Sequence, residues 1–166
     1  MIAILLMLIL TSAPALPTNN YQASTAWKVY KGAWFEVRYP SSFRVRASQQ
    51  GSTPSVYDSA FFAAPDGSVE FYIFSPQWNG DPADIAINSR SETMVAQNTD
   101  KSGTKVIRRA TIRAKDGSYT RSFEEVEDTG NNTRRVFGIK YVNEAAYNRY
   151  RQNYLTFKQS LRQFAD

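Results

Sequence analysis

The chain has 166 residues, a net charge of +5, no histidine and no cysteine. Without imidazole or thiol it has no Ser-His-Asp or Cys-His nucleophile, no imidazole or thiolate metal site and no usual general base near neutral pH, and it must be stable on packing without disulfides. Aromatic residues make up 14% of the sequence, more than a disordered chain carries, and the length suits one domain with a core of its own.

Residues 1–10 are apolar throughout, and 11–17 are rich in small residues and proline. This pattern reads as an export signal over residues 1–16, although no Lys or Arg precedes the apolar run. The run is half the roughly 20 residues a membrane-crossing helix needs. The expectation is therefore a periplasmic or secreted protein, with a polar linker over 17–26 and a single domain over 27–166.

Residues 27–40 read as a strand, with Phe35, Val37 and Tyr39 alternating with Trp34, Glu36 and Arg38. Pro40-Ser41-Ser42 stops it, and 43–46 forms a short edge piece. Two apolar runs, 57–64 and 68–75, are joined by Pro65-Asp66-Gly67 in the manner of a hairpin. The second run is nearly continuous from Val69 to Phe74, as in a central strand. Asp81-Pro82-Ala83-Asp84 then carries the marks of a helix start: a capping Asp, proline at the first helical position and an acid in the first turn. That spacing predicts a helix over 81–97 with a weak apolar face. Three strands are expected near 104–114, 119–127 and 133–142, the first two joined by Asp116-Gly117. Asn143 opens a last helix predicted to reach 164. On it Tyr147, Tyr150, Tyr154, Phe157, Leu161 and Phe164 recur at spacings of three and four, one stripe along one face. The fold class is α+β: an antiparallel sheet, a long C-terminal helix across one face and a shorter helix after the first strands.

Two stretches carry a family resemblance. Residues 34–43, WFEVRYPSSF, resemble the opening strand of the Mog1/PsbP-like superfamily, which runs into Tyr-Pro and an aromatic. Residues 154–164, YLTFKQSLRQF, are similar to its closing helix. The resemblance implies an α/β/α sandwich and a binding or accessory protein rather than an enzyme, in a superfamily that includes photosystem accessory proteins, a Ran-binding nuclear protein and exported bacterial PsbP-like proteins of unknown role. It implies no cofactor and transfers no site residue.

Four surfaces are candidates. Glu124, Glu125, Glu127 and Asp128 offer paired carboxylates for a hydrolase. A hairpin centred on Asp116-Gly117, however, sets Lys105 opposite Asp128, Arg108 opposite Glu125 and Arg109 opposite Glu124, which is the pattern of cross-strand ion pairs. Asp128 to Asn132 has oxygen ligands but matches no standard calcium loop and reads as a turn. Arg151, Lys158 and Arg162 line one side of the predicted last helix, a docking face for an acidic protein, an anionic ligand or a membrane surface. Trp78, Asn79 and Asp81 stand in a Pro/Gly loop between a central strand and a helix start, where an aromatic can anchor a partner. The leading reading is a non-enzymatic binding or accessory protein acting through that loop rim, with no cofactor, no metal and no nucleic acid. A hydrolase using 124–128 and a purely structural envelope protein are the alternatives.

Overall fold

The computed structural model describes residues 26–77 and 80–164. The expected export signal, most of the expected linker, and Trp78 and Asn79 lie outside the described residues.

The first strand expected over 27–40 is two, β1 (Trp27–Lys31) and β2 (Phe35–Pro40), paired antiparallel. Gly32 makes the fold-back possible, since a Cβ there would stand 2.1 Å from the Phe35 ring. The elements β3 (Arg44–Ala47), β4 (Ser59–Ala63) and β5 (Val69–Phe74) follow as read. The Asp66 carboxylate closes the β4–β5 turn by accepting from the Ser68 amide at 3.0 Å and its hydroxyl at 2.8 Å.

The helix expected over 81–97 is absent. In its place are a single 3-10 turn at Ala83–Ile85 and an eleven-residue strand, β6 (Glu92–Ser102). Asp81 caps nothing, and its side chain is 92% exposed. The physical reason lies in the partners. The carbonyls of Ile85 and Ala86, which a helix would need as its own acceptors, receive the Arg121 guanidinium instead. The β-branched and short polar residues of 93–100 pair along β7 (Lys105–Ala114), with Gly103 at φ 57° in the connecting turn. The α/β/α sandwich implied by the resemblance is corrected with it: among the described residues there is one α-helix, on one face.

Strands β8 (Thr120–Asp128) and β9 (Thr133–Tyr141) complete a seven-stranded antiparallel sheet in the order β3-β4-β5-β9-β8-β7-β6. Asn143 caps α1 (Glu144–Gln159) as read, its side chain accepting from the Ala146 amide at 2.9 Å. The helix ends a turn early. The Ser160 hydroxyl donates to the Phe157 carbonyl at 2.7 Å and accepts from the Arg38 amide at 2.8 Å, which fastens the helix end to β2. The chain then adds β10 (Arg162–Gln163) to β2, leaving Phe164, expected in the buried stripe, 45% exposed.

Alternation along β5 assigns the two faces of the large sheet. Val69, Phe71 and Ile73 point to the side covered by α1 and the small β1-β2-β10 sheet, where Phe35, Val37, Phe62, Phe137, Tyr150 and Phe157 are buried together. Phe157 sits at the centre, with the rings of Phe62, Phe71 and Phe137 at 5.1, 5.4 and 5.7 Å. Tyr72 and Phe74 point the other way, into a smaller cluster with Val136, Phe61, Ile85 and Phe123.

Candidate binding face

Among the described residues the second face of the sheet has no α-helix on it. Residues 80–91, with the 3-10 turn inside them, cross it as a strap, and almost every tie is polar. Asp84 accepts from the buried Ser59 hydroxyl and from the Tyr72 hydroxyl, each at 2.6 Å. Burial pushes the Tyr72 hydroxyl well above its usual range and the Asp84 hydrogen bond adds to that, so it remains a donor. Gln49 grips both sides of Pro82, donating to the Asp81 carbonyl at 3.0 Å and accepting from the Ala83 amide at 3.1 Å. Arg134 donates to the Gly80 carbonyl and lies 3.2 Å from the Asp81 carboxylate and 2.7 Å from Glu125.

The strongest tie is the buried pair Glu92–Arg121, 2.7 Å apart. Glu92 is also reached by the Tyr119 hydroxyl at 2.7 Å and the Asn88 amide at 2.8 Å. Burial opposes ionisation of its carboxyl, but these donors and the guanidinium charge outweigh it and bring Glu92 from 4.5 to about 2. The charged pair fixes where β6 begins and where the strap ends.

Two recesses open beside the strap, with Ile85, Ala86 and Phe123 in the wall they share. One, of about 620 Å³, runs beside β6 and β7 and is lined by Pro82, Ile87, Met94, Gln97, Ala110 and Ile112 among others. Ile87 and Met94 are 43% and 38% exposed. The other, of about 320 Å³, lies over β5, β9 and β8 and is more polar.

The residues singled out from the sequence fall as follows. Trp78 and Asn79 lie outside the described residues; Asp81 stands next to Pro82 at the end of the larger groove. Arg151 is exposed on α1, but the expected basic face is not formed. Lys158 turns inward to Glu124 at 2.7 Å, and Arg162 lies past the helix end, in β10. The reason is the early helix stop together with the Glu124 carboxylate beneath the last turn, which holds Lys158 as well as Arg109. The acidic cluster is fully engaged. Glu124 holds Arg109 and Lys158, Glu125 holds Arg108 and Arg134, and Glu127 holds Arg108. Asp128 closes the 128–132 turn, accepting from Thr104, the Gly130 amide and Asn131. Lys105↔Asp128, Arg108↔Glu125 and Arg109↔Glu124 stand opposite one another, as the turn predicted. Among the described residues no group of acidic side chains has the arrangement of a metal site.

Sequence reading missed the strap and its anchors. For Asp84–Tyr72 and Glu92–Arg121 no local signal exists, because each pair joins distant segments. Glu70 did leave one: a carboxylate inside the apolar run Val69 to Phe74 marks a face that is not wholly covered.

No family model matches the chain, and no curated protein matches it. Among solved structures it is similar to the solution structure of cyanobacterial PsbP (CyanoP) from Synechocystis sp. PCC 6803, at 10% identity and a TM-score of 0.49, over 90% of this chain and 98% of that one. It is also similar to the Ran-binding protein Mog1p of Saccharomyces cerevisiae, at 11% identity and a TM-score of 0.44, over 86% and 97%. The likeness is to two proteins whose names are those of the superfamily that the ends of the chain resemble. At these scores it brings no residue role and no partner to this chain.

Proposed function

We propose that this chain is a non-enzymatic binding or accessory protein acting outside the cytoplasm, and that its larger groove receives an extended, apolar segment of a protein partner. The observation that carries the reading is the groove of about 620 Å³ beside β6, with Ile87 and Met94 open to solvent along it. Strand β6 stands at the sheet edge and is exposed along all but its first residue. An edge of eleven residues offers main-chain donors and acceptors for strand addition, and an apolar trough alongside it selects side chains. Pro82 lines the groove as well. What supports binding over hydrolysis is that each carboxylate of 124–128 is held by cations or hydrogen-bond donors, which leaves none of them free in a cleft to act as acid or base.

A photoreactive benzophenone side chain at Gln97, in the native envelope, tests this. The expected result is a discrete cross-linked adduct that is lost with Met94→Asp and absent when the same group stands at Val29 on the far sheet. No adduct, or one indifferent to Met94→Asp, would refute the groove. Export is tested separately by the first residue of the native protein, expected between 14 and 18.

A further inference from the structure

We propose that the smaller recess, on the other side of the strap, is a binding site for a small zwitterion: a free α-amino acid with an aromatic side chain. It is separate from the groove assigned to a protein partner and does not depend on it.

The floor is built by register. Arg46, Phe61, Tyr72, Gly138 and Phe123 stand opposite one another in turn across β3, β4, β5, β9 and β8. Gly138 supplies the space at the middle, since a Cβ there would come within 2.5 Å of the Phe123 ring. Phe123 lies over it, edge-on to Tyr72 at 6.1 Å, and Phe61 meets Tyr72 at 4.8 Å. Three rings thus line one side of a cavity of about 320 Å³, enough for one amino acid and some water.

The polar groups of the recess sort into two kinds. Asp84, Glu92 and Arg121 are engaged in holding the strap. Arg46, Glu70 and Lys140 are not: among the described residues none has an ion pair. Glu70 and Lys140 stand directly opposite each other on β5 and β9, where a lysine would ordinarily meet a glutamate. Instead the Lys140 ammonium lies over the Tyr119 ring at 4.2 Å, and the Arg46 guanidinium lies over Phe61 at 4.2 Å. Both cations rest on aromatic faces at the rim with their donors unspent, and one carboxylate is free between the strands. A simple anion would have to tolerate Glu70, and a simple cation would face both Arg46 and Lys140. A molecule bearing both charges satisfies all three, its carboxylate at Arg46 and Lys140, its ammonium at Glu70 and its ring on the aromatic floor.

Calorimetric titration of the full mature chain with L-phenylalanine tests the site, alongside L-phenylalaninamide, which lacks the carboxylate, and N-acetyl-L-phenylalanine, which lacks the ammonium. L-phenylalanine is expected to bind saturably with Kd below about 1 mM. Each analogue should bind at least about tenfold more weakly, a difference of about 1.4 kcal/mol. Arg46→Gln should weaken L-phenylalanine by a similar factor and leave the amide unchanged, and Glu70→Gln should do the same with respect to the N-acetyl analogue. Both side chains are at the surface, and unchanged melting temperatures would show that the variants fold. The proposal is overturned if L-phenylalanine shows no saturable binding up to about 10 mM, if the analogues match it, or if the folded variants retain full affinity. Cross-linking from Gln97 is expected to be unaffected by either variant, so the two sites stand or fall independently.

Discussion

The two faces of the large sheet are covered by opposite means. On one, α1 and the small sheet seat aromatic and aliphatic side chains in a core where Phe35, Val37, Phe62, Phe71, Ile73 and Phe157 have no more than trace exposure. Such a layer is held by area removed from water, which needs no particular partner for any one group. On the other face, residues 80–91 hold by directed contacts: Asp84 to Ser59 and Tyr72, Arg121 to two carbonyls and Glu92, Gln49 to the backbone beside Pro82. A cover fixed at points leaves gaps between them, and both recesses lie in those gaps. The aromatic face gives the domain its core, and the strapped face leaves the two recesses proposed above as binding sites.

The largest effect should come from the covered face. Phe157→Ala removes the ring at the meeting point of Phe62, Phe71 and Phe137 and is expected to cost about 3–5 kcal/mol in denaturant unfolding. A loss below about 1 kcal/mol would mean that the helix is not what closes this core.

The strapped face should respond next, and to pH. Glu92→Gln leaves the Arg121 guanidinium buried without its counter-charge, at an expected cost of about 3 kcal/mol at neutral pH. Because the folded carboxyl is depressed from 4.5 to about 2, its contribution is fully present above about pH 4.5 and is lost as pH falls towards 2. The gap between wild type and variant should therefore narrow across that window. Taking the difference removes the contribution of Asp58, whose carboxyl burial pushes up and which acts in the opposite direction. A gap independent of pH would show that the pair does not carry the strap's end through its charge.

What was legible in the sequence follows the same division. The covered face is written in local periodicity. Tyr147, Tyr150, Tyr154 and Phe157 repeat with the helix, and Val69 to Phe74 run continuously in the buried strand. The strapped face is written in contacts between segments far apart, such as Tyr72 with Asp84 and Glu92 with Arg121. Nothing in the neighbourhood of Asp81 distinguishes a helix cap from an exposed turn residue, so the local signs pointed to a helix that the distant partners of Ile85 and Ala86 preclude. The closing turn of α1 failed for the same reason. Leu161 and Phe164 keep the helical spacing, yet Ser160 bonds across to β2 and ends the helix before them.

The smallest effect expected is also the one that separates the two accounts of residues 81–97. If Asp81 capped a helix, Asp81→Ala would leave a first-turn amide unsatisfied and cost about 1 kcal/mol. In the structure its side chain caps no amide and is 92% exposed, and among the described residues its ion pair is with Arg134 at 3.2 Å. Arg134 keeps Glu125 at 2.7 Å and the Gly80 carbonyl whether or not Asp81 is present. Exposed pairs of this kind are worth little, so Asp81→Ala should shift stability by no more than about 0.5 kcal/mol, and high salt should erase even that. Circular dichroism of the variant should show no loss of helical signal, because the residue sits in a turn and not at a helix start. A loss near 1 kcal/mol accompanied by lower helicity would restore the helix and, with it, a second face covered like the first, with no gaps in which to bind anything.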